Sequence, residues 1–229
     1  RSLEQNVAPR WLTRSGKLCE AFGRAYAAID DFDAAQRLFD QGMRASKGTA
    51  SVAMFEQLLN VSARSLAREA MKGRQAKSTE LEKRQERLEQ RAAELVMLTG
   101  AYPTAARYST LGSTYRRSAI VSASIADARS VKGYLKQSKE AYATANSKPF
   151  GRDPYPESQW ILSGLLLDWN APAQLKSIRG ALDALDALLD QQGEGSRDFW
   201  QQVYRADLAL LEALYATASA ARGGTKRNT

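Results

Sequence analysis

Apolar residues recur every three or four positions through most of this chain, which is the spacing that places side chains on one face of an α-helix. In one clear case, Ala171 to Leu189, leucines face one side while Asp183, Asp186 and Asp190 mark the other. Together with capping and breaking residues, this pattern predicts about eight or nine helices. The predicted helices run from Leu3 or Arg10 to Ile29, Asp33 to Arg44, Ser51 to Met71, Thr79 to Leu98, Pro103 to about Ile120, Ala128 to Ala145, Pro156 to Trp169, Ala171 to Leu189 and Arg197 to Ala221.

The amino-acid composition agrees with an all-α fold. The chain has 38 Ala and 26 Leu but only 12 Val and Ile combined. Alanine and leucine lose little side-chain freedom in a helix, whereas β-branched residues favour a pleated sheet. We therefore expect no sheet-based domain.

The composition also excludes several kinds of active site. The 229 residues include no His, and Cys19 is the single cysteine. Ser-His-Asp and Cys-His catalysis, an internal disulfide and a thiolate zinc site are therefore excluded. An enzyme would have to use carboxylates alone, or Tyr, Lys and Ser, and no motif for such chemistry is found. We expect no enzymatic activity, no cofactor and no metal site.

Positive charge is concentrated in the first two thirds of the chain. The formal net charge is +8, with +10 up to Asp153 and −2 beyond it. A basic surface can meet nucleic acid, anionic lipid or an acidic protein segment. Between Glu80 and Arg91, however, basic residues alternate with Glu, as on a solvated helix face. Nucleic-acid binding is therefore the disfavoured alternative.

Neither a membrane-spanning segment nor a secretory signal is found in the sequence. The most apolar stretch, Trp160 to Trp169, holds about ten residues, whereas a spanning helix needs about 20. A single cysteine without a signal peptide is typical of a reducing compartment. We therefore expect a cytoplasmic protein with no membrane span.

A repeat motif lies between Lys17 and Lys47. Its characteristic positions are held by Phe22, Gly23, Tyr26, Ala35, Phe39 and Gly42. In spacing and residue type they resemble the tetratricopeptide repeat, in which small residues let two antiparallel helices approach and aromatic residues fill the remaining space. On this basis we expect Gly23 to pack against the Ala35–Phe39 face. Cys19, where the motif has Trp, is interpreted as a small buried residue.

A second, less regular copy follows. The first-helix signature recurs, with Tyr in place of Trp, at Tyr108, Leu111, Gly112 and Tyr115. Its partner helix, which contains Tyr142, begins 14 residues later than a 34-residue repeat would place it. Three strings, Phe55–Asn60, Leu111–Arg117 and Tyr155–Pro156, extend the resemblance. The arrangement is similar to degenerate tetratricopeptide regions of bacterial proteins, often joined to caspase-like CHAT protease or other effector domains, and to the TRAF-binding regions of mitogen-activated kinase kinase kinases.

The resemblance implies a short α-solenoid of stacked antiparallel helix pairs whose first helices line a concave groove. The positions that it places on this groove are Lys17, Glu20, Arg24, Ser109, Ser113, Arg116 and Arg117. Four cations would favour an acidic or C-terminal peptide, because guanidinium groups form paired bonds to carboxylates. Arg24 stands where the carboxylate-clamp subset has Asn, which argues against an adaptor for chaperone tails.

The sequence thus predicts a non-catalytic protein-interaction module. The expected organisation is a basic repeat region over residues 1–153, further or capping helices over 154–222, and a flexible tail over 223–229, with a polar break at residues 73–78. The resemblance implies the sensing or regulatory arm of a larger bacterial effector, and the expected partner is a protein or acidic peptide segment, for which an adjacent effector domain is one candidate. The alternatives are a basic helical module that binds nucleic acid and, less favoured, an enzyme with carboxylate-only chemistry.

Overall fold

A computed structural model describes residues 14–72, 78–167, 171–191 and 199–225. The described residues form nine helices and no strand, so the all-α prediction is confirmed. The helices are α1 Gly16–Ala28, α2 Phe32–Ala45, α3 Val52–Met71, α4 Ser78–Ala101, α5 Ala105–Ser124, α6 Ala128–Ala145, α7 Pro154–Leu167, α8 Pro172–Gln191 and α9 Phe199–Thr225.

Most predicted helix ends lie within three residues of the observed ones, and α6 agrees at both ends. The largest difference is at the first helix. A continuous helix from Leu3 or Arg10 was predicted, and this is wrong because Arg14 and Ser15 are not helical. At the other end of the chain, α9 continues to Thr225, into the predicted tail. The predicted break at 73–77, the turn at 193–196, Trp169 and tail residues 226–229 lie outside the described residues.

The first three helices begin where a side-chain oxygen can accept a free amide hydrogen of the first turn. Ser15 accepts from the Leu18 amide at 3.3 Å, and Asp31 and Ser51 make the equivalent bonds for α2 and α3 at 3.1 and 3.0 Å. Each bond satisfies one of the four amides that a helix start leaves without a backbone partner. Ser15 therefore sets the start of α1 at Gly16.

The chain divides into two compact units, each described by itself. The first contains Arg1–Ala101 with Ile120–Asp127, and the second contains Tyr102–Ala119 with Ala128–Thr229. Helix α5 thus contributes residues to both units. The boundary predicted after Asp153 falls within the second unit, and the threefold division of the chain stays a prediction.

In the first unit, α1 to α4 pack in chain order. A Cβ built on Gly23 would lie 2.9 Å from the ring of Phe39, and one built on Gly42 would lie 2.9 Å from the Cβ of Cys19. Cys19 thus contacts Gly42, and Gly23, further along α1, contacts Phe39, which comes earlier on α2. The two helices are therefore antiparallel. The predicted contact between Gly23 and the Ala35–Phe39 face is confirmed, and Cys19 is fully buried.

The second unit repeats the same contact between α5 and α6. A Cβ on Gly112 would lie 2.8 Å from the ring of Tyr142, which is fully buried. Ser138, one turn earlier on α6, donates a hydrogen bond to the Gly112 carbonyl at 2.9 Å. Helices α7, α8 and α9 then pack against one another around buried leucines and Ile178. In both units a glycine on one helix accommodates an aromatic ring from a later one.

Candidate binding cleft

The predicted groove residues of α1 are only partly available to a ligand. Lys17 is exposed, whereas Arg24 forms an ion pair with Glu20 at 2.6 Å while its side chain stays 52% exposed. Glu20 also accepts a hydrogen bond from Ser51 at 3.3 Å. Arg24 is therefore already engaged with a carboxylate one helical turn away.

The predicted groove residues of α5 belong to the second unit and bond within it. Ser113 is buried, and Arg117 donates to its hydroxyl at 2.6 Å. Arg116 donates to the side-chain oxygen of Gln159 on α7, and Ser109 is half-buried. The Arg116 bond joins α5 to α7, whereas the Arg117 bond to Ser113 lies within α5, and both arginines are therefore already engaged. Because the two predicted sets fall in different units, a single groove that contains both stays a prediction.

A different set of basic side chains converges in the first unit. Residues spaced three or four apart on one side of each of α2, α3 and α4 enclose a cleft of about 360 Å³. We call it the arginine cleft. It is lined by Asp33, Gln36, Arg37, Asp40, Ser62, Leu66, Arg84, Arg87, Leu88 and Arg91.

Arg84 is fixed at one side of the arginine cleft. Its guanidinium donates to the Ser65 hydroxyl at 3.0 Å and forms an ion pair with Glu69, both on α3. Ser65 in turn donates to Asp33 on α2 at 2.8 Å. The side chain of Arg84 is only 24% exposed. One arginine therefore links α4 to α3 and, through Ser65, to α2.

Arg91, seven residues later on the same face of α4, is held in the same way. It donates to the Ser62 hydroxyl of α3 at 3.0 Å and to the Asp40 carboxylate of α2 at 2.7 Å. Ser62 is buried among the apolar residues of α3. The pairing of Arg91 with Asp40 neutralises both charges and fixes the guanidinium in position.

Arg37 on α2 and Arg87 on α4 differ from these two arginines. Both line the arginine cleft and both are exposed. Within the described part of the chain, neither has a hydrogen bond or an ion pair. Each guanidinium carries five N–H donors in a planar fork that matches a carboxylate or phosphate. These are the cationic groups of the cleft that a ligand can engage without breaking the fold.

The second unit carries perturbed ionisable groups, but their environment indicates packing. Burial raises the pKa of Tyr142 far above its usual range, and the neighbouring Tyr155 adds to the shift. Burial also raises the pKa of Tyr115, and that of Asp207 despite the opposing effect of Arg116. A phenol with a raised pKa stays protonated at neutral pH, which makes it a poor nucleophile. The interpretation of Tyr142 as a packing residue is therefore supported.

The aspartates of α8 and Trp160 of α7 are engaged in contacts within the protein. Asp183 and Asp190 are exposed, and each forms an ion pair with an arginine, at 2.7 and 2.8 Å. Trp160 is half-buried, with the Lys139 ammonium 5.1 Å from its ring centre. The described residues contain no group of three or more side chains that could hold a metal ion. Within the same residues, every helix is too short or too polar to cross a membrane.

Comparison of the chain with protein-family models, with curated proteins and with solved structures finds no match in any of the three.

Sequence reasoning missed the arginine cleft. The charges between Glu80 and Arg91 were expected to form a solvated face, but Arg84 and Arg91 are mostly buried and bonded to α2 and α3. One signal was present. Ser62 and Ser65 interrupt an otherwise apolar face of α3, and a polar residue on a buried face needs a partner from another helix.

Proposed function

We propose that this chain is a non-catalytic interaction module that binds an acidic segment of a protein partner in the arginine cleft. The observation that carries the proposal is the pair of exposed arginines, Arg37 and Arg87, beside two arginines that are already fixed. Paired arginines on a preformed surface bind carboxylates through charge-assisted hydrogen bonds. The fixed residues around them reduce the ordering that binding would otherwise require.

The proposal includes a tetratricopeptide-like architecture. Its support is the contact that recurs in both units, Gly23 with Phe39 and Gly112 with Tyr142. In each case the missing Cβ permits a close approach of two helices, which is the mechanical role of the small residue in that repeat. On the resemblance of its motifs, we further propose that the module is the sensing or regulatory arm of a larger bacterial effector of the CHAT-associated type, acting in the cytoplasm.

A nucleic-acid module is the second candidate, favoured by the four arginines that line the cleft. Two of these four arginines, Arg84 and Arg91, are already paired with carboxylates, which leaves two for the many phosphate contacts that a nucleic-acid surface makes. The cleft is also a local concavity, whereas duplex binding uses cations spread along a surface. These features favour an acidic peptide over DNA or RNA.

The test is fluorescence anisotropy with a labelled peptide that has consecutive glutamates between glycine and serine flanks. We expect the wild type to bind it and the Arg37→Gln/Arg87→Gln variant to lose about tenfold or more in affinity. The matched control is Arg129→Gln/Lys132→Gln, which removes two exposed positive charges of α6, in the other unit, and should change affinity less than about threefold.

Two results would contradict the proposal. One is equal weakening by the cleft variant and by the control, which would show that only net charge matters. The other is tight binding of random duplex DNA by the wild type, lost in the cleft variant and falling steeply with salt. Counterion release produces that salt dependence, and it would favour the nucleic-acid function.

A further inference from the structure

A second pocket lies wholly within the second unit, between α6, α7 and α8. Its volume is about 390 Å³, which is in the range of pockets that bind small ligands. In this pocket α6 and α8 present mostly backbone and methyl groups, while α7 supplies one aromatic ring. We call it the Trp160 pocket. It is lined by Ala143, Asn146, Arg152, Glu157, Trp160, Gly180 and Ala181.

The polar side of the Trp160 pocket is organised around the carboxylate of Glu157, whose side chain is only 8% exposed. Its Oε2 atom accepts hydrogen bonds from the side-chain amide of Asn146 and from Arg152, the latter at 3.2 Å. Among the described residues no group donates to the other oxygen, Oε1, and this atom is not fully enclosed either. A carboxylate oxygen can accept further hydrogen bonds. Oε1 is therefore a fixed acceptor that is open to a ligand.

Neither the carboxylate nor the aromatic ring of the pocket lacks a cation. The charge of Glu157 is already paired with Arg152, so what Oε1 has left is hydrogen-bonding capacity. The Lys139 ammonium lies 5.1 Å from the ring centre of Trp160 and is not part of the pocket lining. The ring thus contacts its cation outside the pocket and presents another part of its surface inside it. An anionic group would bring only acceptors, which cannot bond to Oε1.

We infer that the Trp160 pocket binds a neutral aromatic group that carries an N–H or O–H donor, such as an indole or a phenol. The ring packs against Trp160, because aromatic rings attract each other in offset-stacked or edge-to-face contacts. The donor bonds to Oε1 of Glu157, and hydrogen bonds to an ionised acceptor are about twice as strong as those between neutral groups. This inference goes beyond the proposed function and uses no residue of the arginine cleft.

The experiment measures by fluorine NMR the affinity of three probes, indole, benzofuran and benzylamine, each with one fluorine on its benzene ring. Benzofuran has the shape of indole but carries an oxygen acceptor in place of the N–H donor, and benzylamine carries a cationic ammonium group. We expect indole to bind about tenfold or more tightly than either of the others, because a site built to accept a hydrogen bond rejects the analogue that lacks the donor.

Gly180→Met tests whether binding occurs in this pocket. A Cβ built on Gly180 meets nothing within 4 Å, so the longer side chain can enter the pocket without a clash. The variant should weaken indole binding about tenfold or more and should not lower the melting temperature, because methionine is the better helix former. The matched control is Gly133→Met on α6, where a Cβ also meets nothing within 4 Å and which does not line the pocket. It should change the affinity by less than about twofold.

Glu157→Gln tests the hydrogen bond from the ligand. Because Asn146 and Arg152 both donate to one oxygen of residue 157, that oxygen stays an acceptor and the new amide NH₂ group takes the position of Oε1. A donor then meets a donor. The variant should weaken indole binding about tenfold and should not weaken benzofuran binding.

The outcomes decide for or against the inference. Selective loss of indole binding in Gly180→Met and Glu157→Gln supports it. No binding of indole, equal affinities of the wild type for indole and benzofuran, tighter binding of benzylamine than of indole, or indole binding that survives Gly180→Met overturns it. When the inference holds, competition by a Gly-Ser-Trp-Ser-Gly peptide assigns the ring to a side chain of a partner, and lack of competition assigns it to a free aromatic compound.

Discussion

Replacing the glycines at the two helix crossings by alanine should destabilise the protein, although alanine is the better helix former. A Cβ at Gly23 would lie 2.9 Å from the ring of Phe39, and one at Gly112 would lie 2.8 Å from the ring of Tyr142. Ordinary carbon–carbon contacts begin near 3.5 Å, so each ring must move by more than half an ångström. Both rings are fully buried and cannot move without disturbing their neighbours.

The size of the effect follows from two opposing contributions. Alanine gains about 1 kcal/mol over glycine in a helix interior, and overpacking a filled core costs about 1–3 kcal/mol. We expect a net loss of about 1 kcal/mol for Gly23→Ala and for Gly112→Ala, and a loss near 3 kcal/mol for Gly23→Leu. In a chain of this size, 1 kcal/mol lowers the melting temperature by about 2–4 °C.

The control is Gly133→Ala, in the middle of α6, where a Cβ would meet nothing within 4 Å. It should gain the helix-propensity contribution alone and raise the melting temperature by about 2–4 °C. Thermal unfolding followed by circular dichroism measures all four variants. The reasoning is refuted if Gly23→Ala stabilises the protein as much as Gly133→Ala does, or if Phe39→Leu fails to reduce the cost of Gly23→Ala in a double-mutant cycle.

Three further predictions concern polar groups. Ser138→Ala should lower the free energy of unfolding by about 1–2 kcal/mol in denaturant titrations, because it removes a buried hydrogen bond to a backbone carbonyl of α5. The double variant Ser138→Ala/Ser163→Ala should lose less stability than the sum of the two single variants, because the two hydroxyls are in contact. Burial raises the pKa of Asp207, so ionisation of this carboxyl opposes folding as the pH rises above the usual aspartate range. Asp207→Asn should therefore stabilise the protein at pH 7 and lose this advantage below about pH 3.9. An equal advantage at both pH values would contradict the assignment. Arg91→Met should cost about 1–3 kcal/mol in thermal unfolding, because it removes the partner of the buried Ser62 hydroxyl as well as the partly exposed ion pair with Asp40; a cost below about 0.5 kcal/mol would contradict this assignment.

The fold was predictable because its determinants are local in sequence. Helix α6 follows from the apolar spacing between Ala128 and Ala145, and the contact of Gly23 with Phe39 follows from two residues 16 apart in one helical hairpin. The start of α1 was missed because the apolar pattern continues through Arg14 and Ser15. The capping bond from Ser15 outweighs that pattern.

The arginine cleft was not predictable to the same extent because its bonds join distant residues. Arg91 meets Asp40 across 51 positions and Ser62 across 29. The spacing of Arg84, Arg87 and Arg91 alone is equally compatible with a solvated face. What distinguishes the paired arginines from Arg87 is the presence of serines on the facing helix, and that depends on how α3 and α4 align.

The most direct test of the central claim is NMR of the arginine side chains while the glutamate peptide is added. The Nε–H signals are assigned by single Arg→Gln variants. We predict that the signals of Arg37 and Arg87 shift in a saturable manner with one common affinity, while the signal of Arg24 does not shift. Saturable shifts at Arg24, Arg116 and Arg117, with none at Arg37 and Arg87, would contradict it and favour the groove that the repeat resemblance implies.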